Sequence, residues 1–517
     1  MSVPSTMRRS CPWLWLAVLA PLAGCIPTPP GGTPREARRQ MPDTFGGETP
    51  AATGEAPADG TAPPTATATT DAPAADESSS AEVDWHDFFA DPHLVALIDT
   101  AVVNNQELNI AIQEMIVANS EIMARRGDIF PSLSVGVGAG IDRVGAITSQ
   151  GQADAHTGVP RDTPDFAVGL YSSWEIDIWG RLRDTADAAM QRYFASAEGR
   201  NFLITQLVAE VANRYYELLA LDRQLQILQG SIQLQQDALE MMRIQQQAAR
   251  VTMLAVTRFE AQLRGFQSEV FDINQQLVAT ENQLNFLLGR FPQHVDRTTD
   301  DFLTIEPSAV STGVPTRLIE NRPDVRQAEH ELSASELSVS AARARYYPAL
   351  RLDAGVGVRS YDITQLVTTP ESIFYNLLGG LVGPLLNRSG ITAEYFAANS
   401  RQMQAVLRYE RTILTAFIDV STGLNRVRNL AQSYELRTQQ VARLEESVDL
   451  STQLFNAARA EYLEVLTTRR DYLEAQMQLV ETKQRQLSAT VALYQALGGG
   501  WRLHTQPADP EPMGATP

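Results

Sequence analysis

Residues 133–142 read LSVGVGAGID and residues 350–359 read LRLDAGVGVR. In the first run Leu133, Val135, Val137, Ala139 and Ile141 alternate with Ser134, Gly136, Gly138, Gly140 and Asp142. In the second, Leu350, Leu352, Ala354, Val356 and Val358 alternate with Arg351, Asp353, Gly355, Gly357 and Arg359. A period of two with one apolar side and one small or polar side is the pattern of a β-strand. The same alternation, with no helix-opening signal behind it, excludes a phosphate-binding glycine loop at Gly136–Gly140. Phe130-Pro131 precedes the first run and Tyr347-Pro348 the second. Beyond a polar stretch from Arg143 to Pro164, Phe166, Val168, Leu170, Ser172, Trp174 and Ile176 alternate again, and a Gly-rich run through Phe374 to Leu386 answers them in the second copy. The chain therefore carries two predicted hairpins of two strands each. Tyr171, Trp174, Tyr361, Phe374 and Tyr375 are candidates for aromatic side chains at a membrane interface.

Long helices follow each hairpin. A first helical stretch, Pro92 to Arg126, has Leu94, Leu97, Ile98, Ala101, Leu108, Ile112, Met115 and Val117 at largely helical spacing. From about Thr185 to Arg250 a helix on the order of 95 Å is predicted, a length that needs a coiled-coil-like partner. Leu263, Phe266, Val270, Ile273, Leu277, Thr280, Leu284 and Leu287 supply one in alternating steps of three and four. Ile413, Phe417, Val420, Leu424 and Val427 open a further heptad helix, whose partner carries Leu463, Leu466, Leu473, Met477, Val480 and Leu487. Leu254-Ala255-Val256 falls on Leu463-Glu464-Val465, and Ala249 on Ala458, with an offset of 209, so the chain reads as one internal duplication.

The N-terminus reads as a targeting segment. Arg8 and Arg9 precede an apolar stretch from Pro12 to Ala23 that ends in Leu22-Ala23-Gly24-Cys25. It is too short to span a bilayer, has the length of a secretory signal, and resembles a bacterial lipoprotein signal in which Cys25 takes the lipid. Ile26 in place of Asp resembles lipoproteins passed on to the outer membrane. Of the two cysteines, cleavage would remove Cys11, leaving no disulfide chemistry. From Pro27 to about Ser80, Pro, Ala, Thr, Gly and acids dominate, which predicts a flexible tether. The 42 Lys plus Arg against 61 Asp plus Glu give a net charge of −19, which argues against a general nucleic-acid binder. Lys483 is the sole lysine, an Arg bias that carries no functional weight by itself. The six histidines, His86, His93, His156, His294, His330 and His504, have no metal-ligand spacing, and no nucleophile–base arrangement appears, so no enzyme, metal or cofactor is expected.

No run of eighteen apolar residues occurs, which excludes a conventional membrane-spanning helix. Four strands cannot close a barrel alone, and open edges are not tolerated in lipid. Several protomers contributing four strands each solve the problem, and twelve or more strands enclose a passage.

At this point the chain resembles the outer membrane factor (TolC-like) family, specifically the lipoprotein branch serving RND-type multidrug efflux pumps. The resemblance rests on Trp85 with Phe88, Asp91 and Pro92, on Trp174-Glu175-Ile176-Asp177-Ile178-Trp179-Gly180-Arg181, and on Arg322-Pro323-Asp324-Val325-Arg326 with Ala341 to Tyr347. Tyr462-Leu463-Glu464-Val465-Leu466 and Ala496-Leu497-Gly498-Gly499-Gly500-Trp501 complete it. It implies a mostly α fold with a membrane β-barrel: a homotrimer whose twelve-stranded barrel continues into a long periplasmic helical tunnel with an equatorial belt. The expected division is a signal peptide 1–24, anchor and tether 25–80, a first equatorial and helical segment 81–130, and a first barrel hairpin 131–180. A helical hairpin 181–290, an equatorial segment 291–347, a second barrel hairpin 348–386, a second helical hairpin 387–497 and a tail 498–517 follow.

The implied function is the outer-membrane exit channel of a tripartite pump that passes drugs and toxic compounds. Implied partners are a periplasmic adaptor, an inner-membrane RND-type pump and outer-membrane lipid. Leu463 matches the apolar gate position and Glu464 an acidic one, while Thr467 stands where the family often has Asp. The turns Ala249, Arg250, Val251, Thr252 and Ala458, Arg459, Ala460 match the adaptor-docking tips, with Ala249 and Ala458 where Gly is usual. Three copies of Glu464 around one axis would repel in a closed state and favour cations. The same architecture serves as the exit duct of type I protein secretion, and a coiled-coil adaptor lipoprotein is a rival from another class.

Overall fold

A computed structural model describes residues 26–29, 32, 34–39, 41–42, 80–158, 160, 162–297, 302–311, 313, 315–383, 388–457 and 459–502. The proposed lipid site Cys25, the signal segment, most of the 25–80 tether and Ala458 lie outside the described residues. After a helical turn at Trp85–Phe88 come α1 (Pro92–Asn104) and α2 (Gln106–Gly127). The periodicity predicts one helix here, but Asn105 divides it. Its extended backbone ends α1, its Oδ1 accepts the Leu108 N–H at 3.1 Å to cap α2, and its Nδ2 donates to the Leu287 carbonyl at 3.0 Å. The second bond reaches 182 positions along the chain, so it left no local trace in the sequence.

Four strands, β1 (Ser132–Arg143), β2 (Asp162–Ile176), β3 (Ala349–Ser360) and β4 (Ile373–Val382), form one antiparallel sheet in chain order. Between β1 and β2 the segment expected as a polar loop contains α3 (Ser149–Thr157), capped by the Thr148 hydroxyl and ended by Gly158 in the left-handed region. The two hairpins join through β2 and β3, paired from Phe166 with Ser360 to Ile176 with Leu350. This register puts Val135, Leu170, Val356 and Tyr375 in one row, and the rows Val137, Val168, Val358, Ile373 and Trp174, Leu352 share that face. The apolar face is exposed, Val137 to 80% and Tyr375 to 84%.

The opposite face holds Ser134, Ser173, Asp353 and Asn376 among glycines. Tyr171 and Phe374 lie on this polar face, where a Cβ on Gly136 would stand 2.7 Å from the Tyr171 ring and one on Gly357 3.0 Å from Phe374. These two aromatics, expected at the membrane interface, are instead the packing of the glycine face. Trp174 and Tyr375 keep the apolar face.

At the strand-to-helix junction Gly180 adopts φ 77°, a turn a side chain resists. Trp179 Nε1 donates to the Pro348 carbonyl at 2.8 Å and its ring stacks on Tyr347, tying this junction to its counterpart in the second repeat. From there α4 (Arg181–Gln247) runs 67 residues, about 100 Å, and returns as α5 (Met253–Leu287). The second repeat opens with α6 (Pro323–Ala344), and after the sheet α7 (Ser389–Asn456) and α8 (Tyr462–Leu497) form the second hairpin. The end of α4 and the end of α7 stand 209 apart, as do the starts of α5 and α8, the offset read from the sequence.

Near the middle of α4 two buried clusters mark a belt. One packs Trp85, Phe88, Leu218, Leu284, Phe302 and Tyr494 together. The other packs Leu318, Val325, Tyr409, Ile413 and Leu497. Arg297 binds the belt segment to the first hairpin through Asp222 (2.5 Å) and Glu281 (3.0 Å).

Candidate functional site

The far ends of the two helical hairpins meet. Leu239, Met242, Val256, Phe259 and Leu263 of the first form a buried cluster with Phe455, Tyr462 and Leu466 of the second packed on it. Val251, from the first turn, packs there too. Both turns span five residues, 248–252 and 457–461, and both close with a bond reaching five residues back: Arg250 N–H to Gln245 (2.9 Å) and Arg459 N–H to Leu454 (2.9 Å). With the Ala249 N–H donating to Gln246, the first turn is a Schellman cap, whose C′ residue must be left-handed. Ala249 takes φ 55°, where the sequence already lacks the glycine that position favours. Replacing Ala249 with Gly should stabilise the protein by about 1 kcal/mol, read as a raised thermal midpoint; a lowered midpoint would count against strain at this turn.

Around this tip the sequence-predicted residues divide. Arg250, Thr252 and Arg459 are exposed, Ala460 is half-buried, and Ala458 lies outside the described residues. Leu463, 39% exposed, and the exposed Glu464 occupy the first turn of α8 with Glu461 as N-cap. Their neighbour Val465 turns into the core. Thr467 donates its hydroxyl to the Leu463 and Glu464 carbonyls, both at 3.0 Å, so it serves its own helix. Above the tip a groove of about 530 Å³ separates α4 from α7 over α8 and is lined by Arg223, Leu234, Phe266, Asp449, Arg469 and Tyr472. Burial lowers the pKa of Arg469, whose Nη1 faces the Leu234 carbonyl at 3.5 Å. Sequence reading missed Arg469, because a charged residue on a heptad helix gives no sign that a neighbouring helix covers it.

Both layers of the molecule have open sides. The helices contact in the row α5, α4, α8, α7, and the two outer members keep apolar side chains exposed: Phe271, Val278 and Phe286 on α5, and Leu407, Leu414 and Ile418 on α7. In the sheet, β1 and β4 each have one neighbour. Such stripes and edges mark surfaces for association. Among the described residues no helix is long and apolar enough to cross a membrane.

A family described as outer membrane efflux protein matches residues 97–290 and 314–499. The pyoverdine export outer membrane protein OpmQ of Pseudomonas putida is 31% identical over 418 residues, covering 81% of this chain and 88% of its own. The cation efflux system protein CusC of Escherichia coli is 27% identical over 429 residues, 83% of this chain and 90% of its own. Among solved structures, a membrane protein from Pseudomonas aeruginosa matches with a TM-score of 0.75 at 25% identity, over 80% of this chain and 94% of its own. The open-state MtrE outer membrane channel of Neisseria gonorrhoeae matches in fold with a TM-score of 0.76 at 22% identity, over 92% of this chain and 99% of its own.

Proposed function

The chain belongs to the outer membrane efflux protein family, and from that premise we propose that it is a lipid-anchored exit duct, gated at the helical tip, through which a tripartite pump expels small toxic molecules. The observation that carries the reading is the shared openness of the two layers. A four-stranded sheet with an apolar outer face and a row of four helices with apolar outer members are both completed by further copies of the same chain. Three copies give twelve strands, enough for a passage. The apolar face with Trp174 and Tyr375 meets lipid, and the Ser, Asp and Asn face lines the passage.

At the tip, three copies of Leu463 and Glu464 ring the axis, Leu463 excluding water and Glu464 setting a cation-favouring charge. Thr467, bonded to its own helix, stays out of the ring. Arg250 and Arg459, at matching places in the two turns, present a basic rim to a periplasmic adaptor that connects to an RND-type inner-membrane pump. Cys25 holds the lipid. The relatives described above are named for export and efflux, which supports this reading over a protein-secretion duct. Leu463→Ala with Glu464→Gln should raise single-channel conductance in planar bilayers several-fold and weaken cation preference; unchanged conductance would overturn this gate.

A further inference from the structure

Composition assigns residues 27–80 to a tether, yet part of that segment rests on the belt. Arg35 holds Glu410 with both terminal guanidinium nitrogens, at 2.5 and 2.6 Å, and the Arg38 N–H adds a third bond to the same carboxylate at 2.8 Å. Arg39 reaches Glu329 at 2.9 Å and lies over the Tyr409 ring, 5.6 Å from its centroid. Ala37 and Met41 pack on the belt cluster of Leu318, Val325, Tyr409 and Ile413. Glu329 belongs to α6, while Tyr409 and Glu410 belong to α7, so the segment bridges two helices. Bonds to Arg35 hold the Glu410 carboxyl down at about 2. An exposed ion pair alone contributes little; here a two-pronged pair, a backbone bond, a ring contact and apolar packing act on five residues between Arg35 and Met41.

The chain then leaves at Pro42 and returns at Ser80, whose N–H donates to the Ser311 carbonyl at 2.9 Å. Ala81 enters the same belt cluster as Ala37 and Met41. The described residues on either side of 43–79, a stretch with seven acids and no Lys or Arg, thus sit at one place on the fold. The belt is therefore already reached ahead of residue 43. The distance between anchor and belt falls to the ten positions from Cys25 to Arg35, at most about 35 Å of chain. Glu410 stands 21 residues into α7, so it lies about 32 Å along that helix from its barrel end. A turn in which the Gly32 N–H donates to the Pro29 carbonyl at 3.0 Å shortens the reach of those ten positions further.

We propose that residues 34–39 with 41–42 are a clasp that fastens the N-terminus to the α6–α7 seam without help from residues 43–79, so that the lipid anchor pulls on the belt through a short leash. The clasp itself does not depend on lipid; the leash rests on the reading of Cys25 as the anchor.

The test separates the two. A full-length chain with Cys25→Ser, exported by a signal cleaved ahead of residue 25, carries no lipid to hold a fragment in a shared micelle. A specific protease site is placed between Gly60 and Thr61, the purified protein is cut, and gel filtration with mass spectrometry follows the fragment that begins at residue 25. The clasp predicts co-elution with the channel, release by Glu410→Arg combined with Glu329→Ala, and recapture when Arg35→Glu is paired with Glu410→Arg. Release of the fragment from the cleaved chain that keeps Arg35, Glu329 and Glu410, or equal retention by the charge-reversed variant, overturns it. Palmitate labelling of the natural chain, lost in Cys25→Ser, tests the anchor separately: a labelled Cys25 with a released fragment refutes the clasp and keeps the anchor.

Discussion

Replacing Gly357 with valine should abolish the detergent-stable oligomer and leave the protein absent from the outer-membrane fraction. Gly357 pairs with Gly169 across β2 and β3, the junction that unites the two hairpins. A Cβ there would collide with the Val168 carbonyl and stand 2.5 Å from the Gly169 Cα and 3.0 Å from the Phe374 ring. The first two are backbone atoms of the facing strand, so the strands themselves must part, at about 3 kcal/mol or more. Gly138→Ala is the control: it lies on the same face, and a Cβ added there meets nothing within 4 Å of its own protomer. Semi-native electrophoresis of both variants decides; an oligomer that survives Gly357→Val would show that β2–β3 pairing does not set barrel formation.

The second large effect is expected at Arg322. Its side chain is 7% exposed, bonds both oxygens of Asp324 at 3.0 and 2.7 Å, and donates to the Ala496 carbonyl at 2.9 Å and to Asp419 at 3.4 Å. One guanidinium thus joins the start of α6, the flank of α7 and the end of α8. Burial opposes its charge, but the bonds to Asp324 and Asp419 leave its pKa raised. Arg322→Ala removes the partner of an almost buried carboxylate and should cost about 3–5 kcal/mol, seen as a large fall in thermal midpoint. Arg322→Lys keeps the charge without the fork and should recover part of it. An alanine variant that melts like the parent would show that the Trp501 side of the belt, where Trp501 Nε1 bonds the Asn321 carbonyl at 3.2 Å, holds this corner alone.

What the sequence made legible was local and periodic. Alternation found the strands, three-and-four spacing found the helices, and the 209 offset set Leu254 against Leu463, each the second residue of its helix, because side-chain burial repeats with backbone geometry. Strand parity also held an unread signal: Tyr171 is out of phase with Val168 and Leu170 and in phase with Gly169 and Ser173, which places it on the glycine face. Other features depend on partners far along the chain. Lys483, unweighted in composition, is 4% exposed with its ammonium 4.6 Å from the centre of the Tyr434 ring, and burial lowers its pKa. Tyr434 in turn donates to the Leu303 carbonyl at 3.0 Å, binding the belt segment to α7. No periodicity announces such a contact. At the tip, Leu463 and Glu464 could be singled out in the sequence as a proposed gate, while the use of the Thr467 hydroxyl by its own helix depends on the folded backbone.

The open edges of β1 and β4 also govern kinetics. A lone protomer has no membrane-compatible form of its sheet, so insertion and association are one event whose yield climbs steeply with local protein density. Dilution would then erode the barrel before it touched the helices, and any melting temperature measured for it would belong to a stated concentration. Confining newly exported chains to a two-dimensional leaflet, as a lipid on Cys25 would, turns a rare three-body encounter in solution into a search across a surface.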